Sequence, residues 1–281
     1  MTDGNPMLDF RNVHLSFAGV KAIDDVSFQV FDGELFAIIG PNGAGKTSIF
    51  NCLNGVYTPQ QGDITWKGTS ILGKKPYRIA QSGIARTFQN IELFGNMIVV
   101  DNLMLGRHYL MTSSWLSGSI WLGKARRAEI AHRERVEEII DFLEIEQYRR
   151  YPVALLPYGI QKRIELGRAL ALDPELLLLD EPVAGMNLEE TEDMARFILD
   201  VKEELGIAMI LVEHDMGLVM DIAERIMVLD FGRNICTGFP NEVQQNPEVI
   251  RAYLGDEFES EELRAAETEA IESAEVEVLG G

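Results

Sequence analysis

The sequence contains few of the residues on which small secreted domains and metal-cluster proteins are built. Its 281 residues include only two cysteines, Cys52 and Cys236, and four histidines. The two cysteines lie far apart with no further cysteine beside either, which argues against a disulfide framework and against a zinc site. We expect both to be small buried hydrophobic residues, and we expect no metal cluster built on histidine.

Long apolar runs are also missing. No segment approaches the roughly 18–20 apolar residues that a membrane-spanning helix needs. Residues 1–6 have neither the basic region nor the apolar stretch of a secretory signal. We therefore expect a cytoplasmic chain that reaches a membrane only through partner proteins.

Basic charge is scarce as well. Lysine and arginine number 25 against 45 acidic residues, so the formal net charge is −20. An acidic surface repels phosphate backbones, and a main role in nucleic-acid binding is therefore not expected. Ten of the acids lie in residues 256–281, where Arg264 is the only base. We interpret this acidic C-terminal tail as a solvated extension, partly helical or disordered, and leave a function for it open.

Apolar residues are present in the proportion of an ordinary globular protein. They make up 46% of the chain, and the mean hydropathy is −0.01. A chain of 281 residues is long for one minimal domain, which predicts either one large domain with a subdomain or two domains.

Strand and helix patterns follow one another in an order that predicts an α/β fold. Apolar residues alternate in residues 8–13 and 22–30, and residues 34–39 form a continuous apolar strand. Helical periodicity replaces the strand pattern between about residues 90 and 157, most clearly in residues 124–143. Strands are expected again at 176–179, 208–212 and 226–229, separated by helices near 160–172, 188–205 and 216–224.

A complete phosphate-binding motif follows the apolar strand at residues 34–39. The segment Gly40-Pro41-Asn42-Gly43-Ala44-Gly45-Lys46-Thr47 fits G-x-x-x-x-G-K-[ST], and the helix predicted after it reaches about Asn54. Such a loop directs backbone N–H groups and a helix N-terminus at phosphate oxygens, while the lysine contacts the β- and γ-phosphates and the threonine binds Mg²⁺. The predicted ATP-binding residues here are Asn42, Gly43, Ala44, Gly45, Lys46, Thr47 and Ser48.

Two acids follow an all-leucine strand further along the chain. Four consecutive leucines at 176–179 predict a strand in the centre of a sheet, so Asp180 and Glu181 should lie at its carboxyl end, where ligands of open α/β sheets bind. Asp180 is a candidate to hold Mg²⁺, and Glu181 is a candidate general base that orients the attacking water. The alternative is an acid pair that caps the next helix.

The order of these elements resembles the ATP-binding cassette of ABC transporters over roughly residues 7–255. After the phosphate loop come Gln89, the segment 155–163 that opens a helix, the acid strand, and His214 at the end of another apolar strand. The resemblance implies a RecA-like P-loop core with an antiparallel β subdomain and a helical insert. Its expected boundaries are 7–89 and 158–255 for the core with the β subdomain, 90–157 for the helical subdomain, and 256–281 for the tail.

The same resemblance implies roles for individual residues. Gln89 would contact Mg²⁺ or the lytic water, and His214 would contact the γ-phosphate. Phe17 is placed like the aromatic residue that stacks on adenine, although an apolar strand residue would look the same, and His214 could also be an ordinary surface histidine. Residues 184–187 would cross a dimer interface, with Asn187 where an acid is more usual.

The signature segment departs from the common Leu-Ser-Gly-Gly-Gln. Pro157 takes the serine position and has neither a hydroxyl nor an N–H, and Tyr158 replaces the next glycine, while Gly159 remains. We keep Tyr158 and Gly159 as nucleotide-binding candidates, because the helix after them still directs N–H groups at phosphate. The departure indicates either a weakened site or a subfamily variant, and the intact phosphate loop and acid strand favour the variant.

The variant signature, together with residues 84–90, 212–216 and 247–255, resembles the ATP-binding subunits of branched-chain (hydrophobic) amino acid importers. An insert with Trp115 and Trp121 fits this subfamily; these residues would pack against membrane subunits or serve as ordinary core or loop aromatics. The resemblance implies a sandwich dimer of two cassettes, identical or related, that binds ATP and Mg²⁺. Two permease subunits and an extracytoplasmic binding protein would complete the complex, with this chain on the cytoplasmic face of the inner membrane.

Other cargoes and other ABC proteins stay open as alternatives. Subunits for uptake of urea or short amides look nearly identical, and the ATPase of lipopolysaccharide extraction has a similar signature but usually a shorter insert. Translation factors typically carry two cassettes in one chain, and repair ATPases split theirs with coiled coils. Neither pattern occurs in this sequence.

Overall fold

A computed structural model describes residues 5–87, 91–110 and 124–253 of the chain. Gln89, the insert with Trp115 and Trp121, and the acidic tail lie outside these residues. The strands are β1 (Leu8–Phe17), β2 (Val20–Val30), β3 (Leu35–Ile39), β4 (Gln61–Trp66), β5 (Thr69–Ser70), β6 (Ile84–Arg86), β7 (Leu176–Asp180), β8 (Ala208–Val212), β9 (Arg225–Asp230) and β10 (Arg233–Gly238). The helices are α1 (Lys46–Leu53), α2 (Pro76–Gln81), α3 (Val99–Gly106), α4 (Lys124–Phe142), α5 (Tyr158–Leu170), α6 (Leu188–Leu205), α7 (Met216–Ile222) and α8 (Pro240–Gln244).

The strands of the described residues form two sheets. An antiparallel sheet has the order β2-β1-β4-β5, and a six-stranded sheet has the order β10-β9-β3-β8-β7-β6. In the larger sheet β9, β3, β8, β7 and β6 run parallel, and β10 pairs antiparallel with β9. The predicted α/β class with a separate antiparallel layer is confirmed. No helix in the part of the chain that the structure describes is long and apolar enough to cross a membrane.

Side chains of the central strands alternate between two hydrophobic cores. From β7, Leu177 and Leu179 pack with the helices on one face of the large sheet, whereas Leu176 and Leu178 pack toward α1 and the antiparallel sheet. All four leucines are completely buried. A strand covered on both faces needs apolar residues at every position, which explains the uninterrupted leucine run.

The parallel register brings three strand ends to one edge of the sheet. Ile38 of β3 lies beside Val212 of β8, and Asp180 of β7 lies on the other side of Val212. The chain therefore leaves all three strands at the same level. The loops that begin at Gly40, Glu181 and Glu213 open on this edge, where ligands of open α/β sheets bind.

Two predicted elements were found with their exact bounds, while others were shifted or missed. Helix α6 and strand β8 begin and end as predicted, whereas α5 begins at Tyr158, two residues earlier than expected. Helix α7 ends at Ile222 because Ala223 adopts an extended ψ of 140° and leads directly into β9. The short strand β6 and the edge strand β10 were not predicted.

An ion-pair cluster on Asp24 connects the two sheets. Arg233 of β10 donates to the Asp24 carboxylate through Nε (2.8 Å) and Nη2 (2.6 Å), and Lys21 donates at 3.1 Å. The Asp24 N–H also donates to the carbonyl of Gly232, whose own N–H donates to Ala44 in the phosphate loop. The hydrogen bonds from Arg233, followed by those from Lys21, lower the pKa of Asp24 from 3.8 to about 2.

This shift predicts a pH-dependent contribution to stability. Because the folded-state pKa lies below the unfolded value, the contribution is present above about pH 4 and is lost as the pH falls toward 2. Asp24→Asn should therefore be less stable than wild type at neutral pH, and the difference should close between pH 4 and pH 2. Chemical unfolding across this range measures it, with Asp25→Asn as the control, since that side chain is 61% exposed. A difference that stays constant with pH would contradict the assignment.

Candidate active site

The loop between β3 and α1 has a backbone path that requires glycine. Gly40 and Gly45 have φ values of +148° and +106°. A Cβ on Gly40 would lie 2.1 Å from the carbonyl oxygen of Leu229, and one on Gly45 would lie 2.4 Å from the carbonyl oxygen of Ala22. The loop is thus held tightly between β9 and β2, and neither position accepts a side chain without displacing backbone.

Lys46 lies inside the curve of this loop. Its side chain is buried, and its ammonium group donates to the carbonyl oxygens of Gly40 (2.5 Å) and Pro41 (2.9 Å). Gly45 precedes α1 and has no side chain with which to cap the helix, so the first-turn N–H groups face the loop. A fixed cation and a helix N-terminus together form a site for phosphate oxygens. The neighbouring Thr47 is exposed at the start of α1.

Phe17 lies at the end of β1 and is 44% exposed. Its ring meets the ring of Tyr57 edge to face, with 5.0 Å between the centroids. An exposed aromatic surface of this kind suits stacking on a flat ligand. The role of Phe17 toward adenine stays a prediction.

Asp180 ends β7 as a buried carboxylate with a cationic partner. It is 4% exposed, and its Oδ2 atom accepts from Nη2 of Arg86 at 2.5 Å. Arg86 also donates to Asn51 of α1 at 2.9 Å. The candidate metal residue is therefore connected to the helix that follows the phosphate loop. Sequence reasoning did not identify Arg86, because 94 residues separate the two members of the pair.

Glu181 and His214 contact each other directly. Glu181 Oε1 lies 2.8 Å from His214 Nε2, with side-chain exposures of 15% and 43%. The Glu181 backbone has φ +48°, a left-handed conformation that costs roughly 1–2 kcal/mol in a residue other than glycine. Its N–H donates to the carbonyl of Val212 at 2.8 Å, which holds this conformation. The structure thus brings together the two residues predicted to act on the water and the γ-phosphate.

Glu213 contacts the loop after β7 and the loop after β8, and it was not predicted as a site residue. It is buried, and its carboxylate accepts from the N–H groups of Val183 (3.0 Å) and His214 (2.9 Å). Burial raises the pKa of Glu213 above its usual value. An acid that directly follows an apolar strand was the available signal, and it was assigned no role. The side chain connects the loop after β7 with the loop after β8.

The signature residues lie beside the loop formed by residues 184–187. Pro157 precedes α5, and the hydroxyl of Tyr158 donates to the carbonyl of Ala184 at 3.0 Å. A Cβ on Gly159 would lie 2.6 Å from Oε1 of Glu190. Asn187 caps α6 in a reciprocal pair of hydrogen bonds with Glu190. The two segments therefore form one packed unit at the start of α5 and α6.

The residues present fit a nucleotide phosphate with Mg²⁺. The phosphate loop supplies N–H groups and the Lys46 ammonium, and Thr47 and Asp180 supply the oxygen donors that Mg²⁺ prefers. Within the described residues there is no cluster of three or more histidine, cysteine, aspartate or glutamate side chains able to hold a metal ion. Such a cluster is not needed, because Mg²⁺ in phosphate sites takes only one or two protein ligands besides phosphate and water.

Comparisons with known proteins show the family of the chain. The family model described as ABC transporter matches residues 23–184, and the model described as branched-chain amino acid ATP-binding cassette transporter matches residues 233–259. LivG from Salmonella typhimurium and BraF from Pseudomonas aeruginosa, both high-affinity branched-chain amino acid transport ATP-binding proteins, are each 37% identical over 251 residues. The match covers 89% of this chain and 98% of each relative.

Solved structures show the same fold. An ATP-binding cassette of an ABC transporter in its ADP conformation matches with a TM-score of 0.78 and 28% identity, covering 90% of this chain and 100% of that one. A nucleotide-free cassette matches with a TM-score of 0.77, also at 28% identity, covering 89% and 99% of the two chains. The chain therefore belongs to the ABC transporter family, as one of its nucleotide-binding ATPase cassettes. Within the family it is similar to the branched-chain amino acid cassettes LivG and BraF.

The contact between Tyr158 and Ala184 predicts a local effect of Tyr158→Phe. Losing one partly exposed hydrogen bond should lower the free energy of unfolding by no more than about 1 kcal/mol. Residues 184–187 should nevertheless lose protection, which amide hydrogen exchange measures. Tyr77→Phe is the matched control, because Tyr77 is 40% exposed against 41% for Tyr158. Unchanged exchange at residues 184–187 would show that the hydroxyl does not hold this loop.

Proposed function

We propose that this chain binds MgATP and hydrolyses it as one of two cassettes that power an ABC importer of branched-chain amino acids. The observation that carries the proposal is the meeting of Lys46, Asp180, Glu181 and His214 at the carboxyl edge of one parallel sheet. The cargo is inferred from LivG and BraF, whose names state branched-chain amino acid transport.

Phosphate binding begins with Lys46 and the backbone of its loop. The ammonium group exchanges its hydrogen bonds to Gly40 and Pro41 for bonds to β- and γ-phosphate oxygens, while the N–H groups of the loop hold the phosphates in place. Thr47 and Asp180, joined by Gln89, would hold Mg²⁺, whose charge would offset the negative charge that develops on the β- and γ-phosphates.

Glu181 is the residue that acts on water. Its carboxylate orients a water molecule and accepts a proton as the water oxygen bonds to the γ-phosphorus and the bond to the ADP oxygen breaks. His214 holds the Glu181 side chain through Nε2 and contacts the γ-phosphate. Glu213 keeps His214 in position from behind, through the His214 N–H. Phe17 stacks on adenine.

A second cassette completes the reaction centre. Tyr158 packs on residues 184–187 and Gly159 lies against Glu190. The helix that Tyr158 begins directs its N–H groups at a nucleotide held by the opposite cassette. Pro157 contributes neither hydroxyl nor N–H, so its contribution is smaller than that of a serine. ATP favours the closed dimer over the open one, and hydrolysis with phosphate release resets it.

The dimer acts on membrane partners. Two permease subunits carry the cargo, and an extracytoplasmic binding protein delivers it. The cassettes bind to the permeases from the cytoplasmic face of the inner membrane. Similarity to LivG over 98% of that protein, together with the match at residues 233–259, favours branched-chain amino acids over urea, short amides or lipopolysaccharide.

Glu181→Gln tests the proposal. The amide keeps the size of the side chain but cannot accept the proton, so hydrolysis should fall by about 10²–10⁴-fold while MgATP binding persists. The variant should therefore accumulate as an MgATP-dependent dimer, alone or with its paired cassette, which light scattering coupled to gel filtration measures.

The matched control is the same variant with Lys46→Ala added, which should remain monomeric because it does not hold the phosphates. If Glu181→Gln also remains monomeric at saturating MgATP, both alone and with its paired cassette, the two-cassette mechanism is wrong.

A further inference from the structure

Arg86 is attached to the nucleotide site at three points. Its Nη2 atom donates to Asp180 Oδ2 at 2.5 Å, and its Nη1 atom donates to Asn51 Oδ1 at 2.9 Å. Its guanidinium also lies over the ring of Phe50, 5.4 Å from the centroid. The position of Arg86 on β6, opposite Leu178 of β7, places it beside the strand that carries Asp180.

The pair between Arg86 and Asp180 is buried. The two side chains are 9% and 5% exposed, so water screens little of the charge on either. A carboxylate removed from water without a partner strongly destabilises the fold, and the guanidinium offsets that cost with a charge-assisted hydrogen bond. This hydrogen bond gives the Asp180 side chain a fixed direction.

Asp180 is also the proposed Mg²⁺ residue. The Arg86 guanidinium and Mg²⁺ are therefore attracted to the same carboxylate. A positive charge within hydrogen-bonding distance of Asp180 reduces the attraction of that carboxylate for Mg²⁺. Phosphate oxygens of a bound nucleotide restore negative charge to the site. With both effects together, the site binds Mg²⁺ more tightly when nucleotide is present than when it is absent.

We propose that Arg86 is a positioning residue for the metal site, which acts as the permanent counter-ion of Asp180 and makes Mg²⁺ binding depend on nucleotide. The inference rests on the proposed function, because it takes Asp180 as a Mg²⁺ residue. Arg86 holds the Asp180 carboxylate in a fixed direction without a metal ion, and it weakens the hold of this carboxylate on free Mg²⁺. Asn51 and Phe50 fix the guanidinium from α1.

A purely mechanical role is the rival explanation. The contacts of Arg86 with Asn51 and Phe50 also join β6 to α1, and a structural strut would make the same contacts. A structural strut would act through its contacts alone, whereas a counter-ion acts through its charge on Mg²⁺ binding. Removing the charge changes how strongly Mg²⁺ binding depends on nucleotide only if Arg86 is a counter-ion.

The test compares Arg86→Gln, which removes the charge, with Arg86→Lys, which retains it. Mg²⁺ affinity is measured for each full-length variant with and without ADP, by isothermal titration calorimetry. In Arg86→Gln the ratio of the affinity with ADP to the affinity without ADP should fall on the order of tenfold, because Asp180 no longer shares its charge and holds free Mg²⁺ more tightly. In Arg86→Lys the ratio should stay near the wild-type value. An unchanged or raised ratio in Arg86→Gln overturns the proposal.

Unfolding without nucleotide gives a second measurement. Arg86→Gln should be clearly destabilised, and the double variant Arg86→Gln/Asp180→Asn should regain most of the lost stability because no buried carboxylate remains unpaired. If the double variant is as unstable as Arg86→Gln, the role is that of a strut and the proposal is wrong. The stability of the double variant relative to Arg86→Gln distinguishes a strut from a counter-ion even if Arg86→Gln folds poorly.

Asp180→Asn alone separates this proposal from the proposed function. If Asp180→Asn leaves the Mg²⁺ dependence of ADP binding as in wild type, Asp180 is not a metal residue and the metal assignment of the proposed function fails. If Asp180→Asn abolishes that dependence while Arg86→Gln leaves it unchanged, only the inference about Arg86 fails.

Discussion

The parallel pairing of β3, β8 and β7 is the constraint on which the site depends. These three strands are neighbours in the sheet, and their residues Ile38, Val212 and Asp180 lie side by side. The loops after the strands therefore begin at one level of the sheet. Each strand is buried on both faces, and a slip of one residue would exchange the side chains between the two cores. The hydrophobic pattern therefore keeps the register, and the register brings the phosphate loop, the acids and His214 together.

Close backbone contacts then fix the shape of the phosphate loop. Gly40 passes against the carbonyl of Leu229 in β9, and Gly45 passes against the carbonyl of Ala22 in β2. The antiparallel sheet is thus part of the nucleotide site, because β2 forms one wall of the loop. Asp24 and Arg233 hold that wall to β10, next to the turn whose Gly232 N–H donates to Ala44. Hydrophobic packing places the loop, and these polar contacts set its position in detail.

Local signals explain which parts could be predicted from sequence. The phosphate motif and the leucine run each determine their own local structure. The bounds of α6 are set by the capping pair Asn187 and Glu190 at its start and by the left-handed Gly206 at its end. Strands β6 and β10 escaped prediction because one is only three residues long and the other is a largely exposed edge with little apolar periodicity. Such strands take their conformation from their neighbours in the sheet.

Tertiary partners were beyond sequence reasoning for the same reason. Glu213 and Arg86 act through contacts with residues 30 and 94 positions away, Val183 and Asp180. No sequence motif in the chain predicts either contact. The direct contact between Glu181 and His214, at 2.8 Å, was not predicted either, since the family resemblance implied only a contact of His214 with the γ-phosphate. Gln89 lies outside the described residues, and its role stays a prediction.

A crystal structure of this chain with Mg²⁺ and ADP would show whether the edge of the parallel strands is the nucleotide site. We expect the β-phosphate to lie in the loop of residues 40–47, with Lys46 Nζ bonded to it instead of to the carbonyls of Gly40 and Pro41. We also expect the metal to be bonded to Thr47, with Asp180 beside it. Nucleotide bound elsewhere, or a Lys46 ammonium still bonded to both carbonyls, would show that this edge is not the nucleotide site.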